Sequence, residues 1–536
     1  MYSSVAARKQ SQLQSRIPAE WRIQGALGLE PLDTKYDRVT VMDVPRTCGL
    51  LSAQELDITE NYDVPGLLAK IREVSCEVVV RAFCKVCYTS ENIQNIKLIG
   101  DGMKRAAIAH QVTRCLTEPL FEEALAQARA LDAHAKAGGV KGPLHGLPVS
   151  LKDTFNVPGV DSSIGLALLA FQPKEPSQTA ALATLLTSLG AVIVAKTNVP
   201  QTLGALDSCN NLFGRTLNPL NWQLSAGGSS GGEGVLVAMR GCIVGFGTDI
   251  GGSIRVPAMC QGVYGLKPST GRVPFGGQEM ALLDGKGRIA LQTVAGPLAR
   301  SVGDLDAVMR EIVPRAELFE DGLPGSWPGS SGPSPKMTIG ILRKDGLVEP
   351  LPPIAKILDE VSHKLRAAGV NVVEIPVPPV LKKCQALAGK LMGVDDNAPA
   401  MDLLERAGEP LIPWLAGRMK RTKALTVQQL AQLQAQRSTI EREMLAMWTG
   451  GAPPGSPRKV DAIVLPVAPH PVPEIDRYGG VGYTSSFVLL DYPAGVVPVR
   501  KFSEGDLELG TEMAAPVDGV WDKVNRALCM FMSHTL

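Results

Sequence analysis

SAGGSSGGEGVLVAMRGCIVGFGTDIGGSIRVP, residues 225–257, holds two separate glycine clusters, and each places one serine, Ser229 or Ser253, in an unusual backbone setting. Glycine costs backbone entropy, so a dense cluster marks a turn with positive φ or a very close approach of chains. Between the clusters, Gly232 to Arg240 reads as a helix and CIVGFGTD, from Cys242, as a strand. The stretch therefore predicts two tight backbone turns, linked by one helix–strand unit, converging on a small polar site.

The same rhythm continues outward. VSL, 149–151, is a short extended run that leads into Lys152. Residues 177–189 read as a helix and AVIVAKT, from Ala191, as a β-branched strand. Further on, MTIGILR, PPIAKILDEVSHKLRAAG and VNVVEIP predict another strand–helix–strand crossover, and DAIVLPVA, from Asp461, returns the chain to the sheet. Residues 104–134 carry helical periodicity, 62–90 read as one or two apolar helices, and 380–447 are strongly helical. The fold class expected from this rhythm is α/β. Its expected parts are an N-terminal helical arm (1–95), a core with the catalytic loops (96–315), a surface loop and α/β crossover (316–379), a helical substrate-facing insertion (380–458) and a C-terminal part of the core (459–536). At 536 residues such a chain buries a substantial apolar interior.

Charge excludes some partners. Lys and Arg total 54 against 53 Asp and Glu, a net charge of +1, with no basic block to follow a nucleic-acid backbone or an anionic membrane. No run reaches 18 apolar residues without a charge, Arg240 interrupting the best candidate, so stable membrane insertion is not expected. The N-terminal segment has no apolar core of the kind a secretion signal needs, and the ten cysteines are scattered, which together predict a soluble cytoplasmic protein. Cys84 and Cys87 form a CxxC, but no second pair completes a zinc site.

A serine hydroxyl becomes a useful nucleophile only with a base in reach. Of the six histidines, only His145 and His470 sit in settings that could serve. Gly227-Gly228-Ser229-Ser230-Gly231 satisfies the GxSxG elbow, yet the preceding 218–223, NPLNWQ, reads as a turn where that motif needs a strand. Lysine is the other candidate base. Burial behind Val149–Leu151 would penalise the charged form of Lys152 and free its amine to accept a proton, whereas a solvated Lys152 would simply pair with Asp153. Around Ser253, the two preceding glycines free local amides to point at one oxygen, as acyl transfer requires. Asp249 and Arg255 flank this loop with opposite charges suited to pinning its shape. A phosphate nest is the competing reading, although the chain has no GxxxxGK[ST].

Taken together, Lys152 in GPLHGLPVSLKD, GGSSGGEG at 227–234 and GTDIGGSIRVP at 247–257 resemble the amidase signature family. AKTNVPQ, NLFGRTLNPLN, GVYGLKPSTGRVP, VAGPLARSV and SFVLLDYPAGVVPV agree with it, and RIPAEW and ELDITE are most similar to the fungal acetamidase or general-amidase branch. The likeness spans about 60–530, with Ser225-Ala226 replacing the Thr-Pro or Thr-Ser often found before the first cluster. It implies Ser253 as nucleophile, Ser229 as bridging serine after a cis bond from Gly228, and Lys152 as terminal base. It further implies an oxyanion hole from the amides of Ile250, Gly251, Gly252 and Ser253, with Ser230 supporting the network. The resemblance also implies a large central mixed sheet covered by helices on both faces, a small-molecule amide as substrate, and no metal or cofactor. An esterase or acyltransferase using the same acyl-enzyme is the alternative, and a homodimer is left open as the assembly.

Overall fold

The computed structural model describes residues 2–23, 38–83, 105–282, 289–328, 337–449, 459–510, 514–517 and 519–532. Cys84, Cys87 and, from the proline- and glycine-rich segments at 321–336 and 449–458, residues 329–336 and 450–458 lie outside them.

Val, Ile and small residues bounded by turns form the strands. These are β1 (Leu116–Pro119), β2 (Pro148–Lys152), β3 (Val192–Thr197), β4 (Cys209–Asn210), β5 (Gly214–Arg215), β6 (Val244–Asp249), β7 (Tyr264–Lys267), β8 (Val294–Ala299), β9 (Thr338–Ile341), β10 (Asn371–Glu374), β11 (Ala462–Val464) and β12 (Ala494–Val496). Seven of them build one sheet in the order β1-β3-β2-β6-β8-β7-β12. Its centre is parallel, β2 pairing with both β3 and β6, and its flanks are antiparallel. The expected mixed sheet with flanking helices is thus present. Every residue of β1, β2, β6 and β8 is buried, which is why these strands show no in–out alternation in sequence.

Two expectations need correction. The helical reading of 104–134 is broken by β1, which separates the helices Arg105–Thr113 and Phe121–Lys136 and pairs antiparallel with β3. Four buried residues ending in proline are too few to carry a period of their own, so pairing with β3 decides their conformation. In addition, Ala462–Val464 does not rejoin the main sheet. It pairs in parallel with β9, giving a separate sheet in the order β10-β9-β11. An apolar run signals burial in a sheet but not which sheet.

Parallel pairing brings the carboxyl ends of β2 and β6, hence Lys152 and Asp249, to the same edge, where open α/β sheets bind ligands. The helix Gly231–Ala238 packs over that region despite glycines at 231, 232 and 234. A Cβ on Gly232 would lie 2.5 Å from Asn198 N and 2.6 Å from Cys115 O, so close packing outweighs the poor helix propensity. The N-terminal helix Tyr2–Ser15 is anchored on the core by Lys9, whose ammonium is buried between Glu118 and Asp161, the latter at 2.6 Å. The segment 380–449 contributes Leu381–Met392, Ala398–Ala407, Pro413–Ala416 and Val427–Thr449. Leu387, Leu391, Ile440 and Met444 there form a second apolar core with Phe487 and Leu489, and Ile250 and Met392 pack on its edge. Among the described residues no helix is long and apolar enough to cross a membrane.

Candidate active site

Lys152 ends β2 with no exposed surface. Its Nζ lies 2.7 Å from Ser229 Oγ and 2.7 Å from Thr248 Oγ1. Burial pushes the amine down to about 7, against the opposing pull of Asp249 and then Glu233. The Lys152–Asp153 pair allowed by the sequence does not form as a hydrogen bond or ion pair. Asp153 instead accepts from Thr117 Oγ1 at 2.8 Å, Ser163 Oγ at 3.1 Å and Ile164 N at 2.7 Å, and faces Lys196 at 3.6 Å.

Ser229 follows a cis peptide bond from Gly228, as the family resemblance implies. No strand precedes this serine, so the elbow reading fails on its context. Ser230 N donates to Ser253 O at 3.2 Å, tying the two glycine loops together directly. The Ser230 hydroxyl lies 3.4 Å from Thr248 O and 3.3 Å from Thr248 N, at the end of β6. Behind the loop, Gly231 N donates to Ser208 Oγ at 3.0 Å, and Ser208 Oγ donates to Gly227 O at 3.1 Å.

Ser253 is buried, 7% exposed, just before the helix Arg255–Gln261. Arg255 clasps Asp249 with two bonds of 2.9 Å, and its third nitrogen donates to Thr484 O at 2.8 Å. Burial raises the Asp249 carboxyl, but the Arg255 guanidinium overcomes this and holds it below the usual carboxylate range. Asp249 also accepts from Gly252 N at 2.8 Å and Ile254 N at 3.2 Å. This narrows the expected set of four free amides. The Gly252 N–H is occupied by Asp249, because the carboxylate that pins the loop is the nearest strong acceptor.

Gly252 has φ of +135°, and a Cβ there would lie 2.6 Å from Thr484 Oγ1. A Cβ on Gly251 would meet only Met392 Sδ, at 3.9 Å. Gly252→Ala is therefore expected to lower stability by about 1–3 kcal/mol, while Gly251→Ala leaves thermal unfolding nearly unchanged. Parallel melting curves of the two variants check this.

Thr248 and Thr484 went unnoticed in the sequence. Thr248 could have been found as the polar residue before Asp249 at a strand end. Thr484, whose hydroxyl donates to Gly251 O, lies 233 positions away and leaves no local signal. The two histidines are not drawn into the site. His145 Nδ1 accepts from Lys141 N at 3.2 Å, and His470 is held down to about 4 by burial with its Nδ1 at 2.7 Å from Pro471 O. Cys209 is a buried thiol pushed up to about 12 by burial, packed in a small apolar cluster with Ala205, Ile412 and Leu415, and is therefore inert. Among the described residues no group of three or more His, Cys, Asp or Glu could hold a metal ion.

Comparison with known proteins agrees with this geometry. The family model described as Amidase matches residues 98–514. The chain is 35% identical to Amidase FG08078 of Gibberella zeae, over 94% of this chain and 87% of that one. It is likewise 35% identical to the acetamidase of Emericella nidulans, over 95% and 89%. Among solved structures, a fatty acid amide hydrolase superposes with a TM-score of 0.83 at 30% identity, covering 98% of this chain and 88% of that one. With the paired glycine loops, the mixed sheet and these relatives in agreement, the chain belongs to the amidase signature family, in its fungal amidase and acetamidase branch, and is a hydrolase of amide C–N bonds.

Proposed function

We propose that this amidase cleaves a small-molecule carboxylic amide to the acid and ammonia or an amine through an acyl-enzyme on Ser253. The observation that carries this reading is the fully buried Lys152 amine 2.7 Å from Ser229 Oγ, one loop contact away from Ser253. Near neutrality a large share of Lys152 is uncharged. One of its N–H groups is directed to Thr248 Oγ1, which leaves the nitrogen lone pair for the Ser229 proton.

As Ser253 Oγ attacks the amide carbon, its proton passes to Ser229 and the Ser229 proton passes to Lys152. The carbonyl π electrons move to oxygen. The amides of Ile250, Gly251 and Ser253 are the donors available to that oxyanion, while Gly252 holds the loop through Asp249. Collapse of the tetrahedral intermediate breaks the C–N bond, and the proton returns from Lys152 through Ser229 to the departing nitrogen. Water then attacks the acyl-enzyme by the same relay, giving the acid and restoring Ser253. Asp249, Arg255 and Ser230 act by holding the loops rather than by transferring protons.

The test is intact-mass and peptide mass spectrometry during turnover of a panel of small aliphatic, aryl and fatty acyl amides with their matched esters. An acyl adduct on Ser253 with release of the amine is the expected result. Turnover of esters alone, or transfer of the acyl group to an added nucleophile in place of water, would move the assignment to an esterase or acyltransferase.

A further inference from the structure

Glu233 is a fully buried carboxyl to which the relay gives no part. It sits in the first turn of the helix Gly231–Ala238 and accepts from Thr197 Oγ1 at 2.7 Å and from Ser150 Oγ. Both partners are tied to Lys152 by strand geometry. Ser150 lies two residues before Lys152 on β2 and therefore on the same face of the sheet, and Thr197 is the register partner of Lys152 on β3. On the other side, Gly245 is the register partner of Ser150, and a Cβ there would fall 1.9 Å from Glu233 Oε2. A glycine in mid-strand thus clears room for this carboxyl, one step along the sheet from the Lys152 amine.

No cation salt-bridges Glu233 among the described residues. Asp153 is satisfied by Lys196 and its other donors, and Asp249 by Arg255, with Lys267 also nearby. Cys115 and Cys242 are the remaining titratable neighbours, the Cys115 thiol pushed up to about 12 by burial and Cys242 Sγ lying 3.0 Å from Ser150 Oγ. Lys152 is left as the basic group that faces Glu233. Taking both charges out of water is costly, but a carboxylate and an ammonium so buried offset one another, so the proton is shared between a neutral pair and an ion pair.

We propose that Glu233 is a positioning residue which, with Lys152, forms a buried pair that titrates as one unit, so that the carboxyl governs when the relay base is neutral. This rests on the reading of Lys152 as that base. Burial pushes the carboxyl up to about 8, with Ser150 and Thr197 opposing, and pushes the amine down to about 7. Groups coupled in this way have pKa values that belong to the pair. An ionised Glu233 raises the amine's affinity for its proton and holds it as the ammonium, which cannot accept another, whereas a protonated Glu233 leaves the amine neutral to lower pH.

Glu233→Gln keeps the shape and removes the charge. Its acid limb in the pH profile of kcat/KM is expected to move to lower pH, by roughly half a unit to one unit for a coupling of this kind. Thr197→Val removes a bond that favours the ionised carboxyl, so its limb moves in the same direction. It decides the matter if the Gln variant does not fold. A wild-type limb in the folded variant, or a shift to higher pH, overturns the proposal. Labelling of Ser253 by the acylating substrate, read in the same wild-type preparation, separates the two levels. If Ser253 is labelled and the limb does not move, only the role of Glu233 falls; if Ser253 is not labelled, the relay itself falls.

Discussion

Ser253→Ala is expected to lower kcat/KM by about 10⁴-fold or more and to abolish the covalent adduct, while substrate binding persists. The size follows from what the side chain does: without the hydroxyl no acyl-enzyme forms, and the amides of the oxyanion loop and binding alone retain only a small part of the acceleration. The fold should not notice. No side-chain hydrogen bond of Ser253 is recorded among the described residues, and its backbone carbonyl, which accepts from Ser230 N, is unchanged by the substitution. Unfolding free energy should therefore stay within about 0.5 kcal/mol of the parent. Steady-state kinetics on the best substrate of the amide panel, paired with thermal unfolding, checks both halves. Turnover near that of the parent would remove Ser253 from the nucleophile role.

Lys152→Met has the second largest expected effect and the opposite signature in stability. Met is similar in length and carries no base, so kcat/KM should fall by about 10³-fold or more and the acid limb near pH 7 should vanish from what remains. With Lys152 as the proposed relay base, activity of the parent is expected to fall with acid, because protonation removes the lone pair that takes the Ser229 proton. The stability sign follows from linkage. Unfolded Lys152 holds its proton to about pH 10, whereas the folded residue releases it near 7, so between those values the unfolded chain binds more protons and stability rises with pH. Below pH 7 the full penalty is present, of the order of 4–5 kcal/mol before the hydrogen bonds to Ser229 and Thr248 are set against it. Lys152→Met should thus unfold at a higher temperature at pH 6–7 than the parent and lose the pH dependence between 7 and 10. Equal melting temperatures and an unaltered pH slope would show that the amine is not desolvated.

Legibility in the sequence varied with the range of the interactions. The helix and strand between the glycine clusters appear within two or three residues of their expected ends, because apolar periodicity and glycine punctuation act locally. β1 was hidden inside a helical pattern, since its conformation comes from pairing with β3 some 80 residues later. Ala462–Val464 has strand composition, but its partner is β9 and not the large sheet, and composition does not name a partner more than 120 residues away. The loop carrying Ser253 shows the same division. Two glycines and a flanking Asp–Arg pair announce a tight turn, whereas which amide the aspartate consumes depends on coordinates.

What the sequence alone determined is the chemistry on offer: two serines set among glycines, a lysine at the end of an apolar strand, and a family pattern holding all three. Such demands are local, because backbone conformation and strand ends are written in consecutive residues. Only the tertiary structure decided the state of those groups. The Lys152 amine is pushed down by burial because β2 lies between buried neighbours and Asp153 is engaged elsewhere. Glu233 sits beside that base through register with β2, β3 and a glycine of β6, and Thr484 braces Gly251 from across the chain. Desolvation and long-range contact are properties of the packed whole, and no single segment carries them.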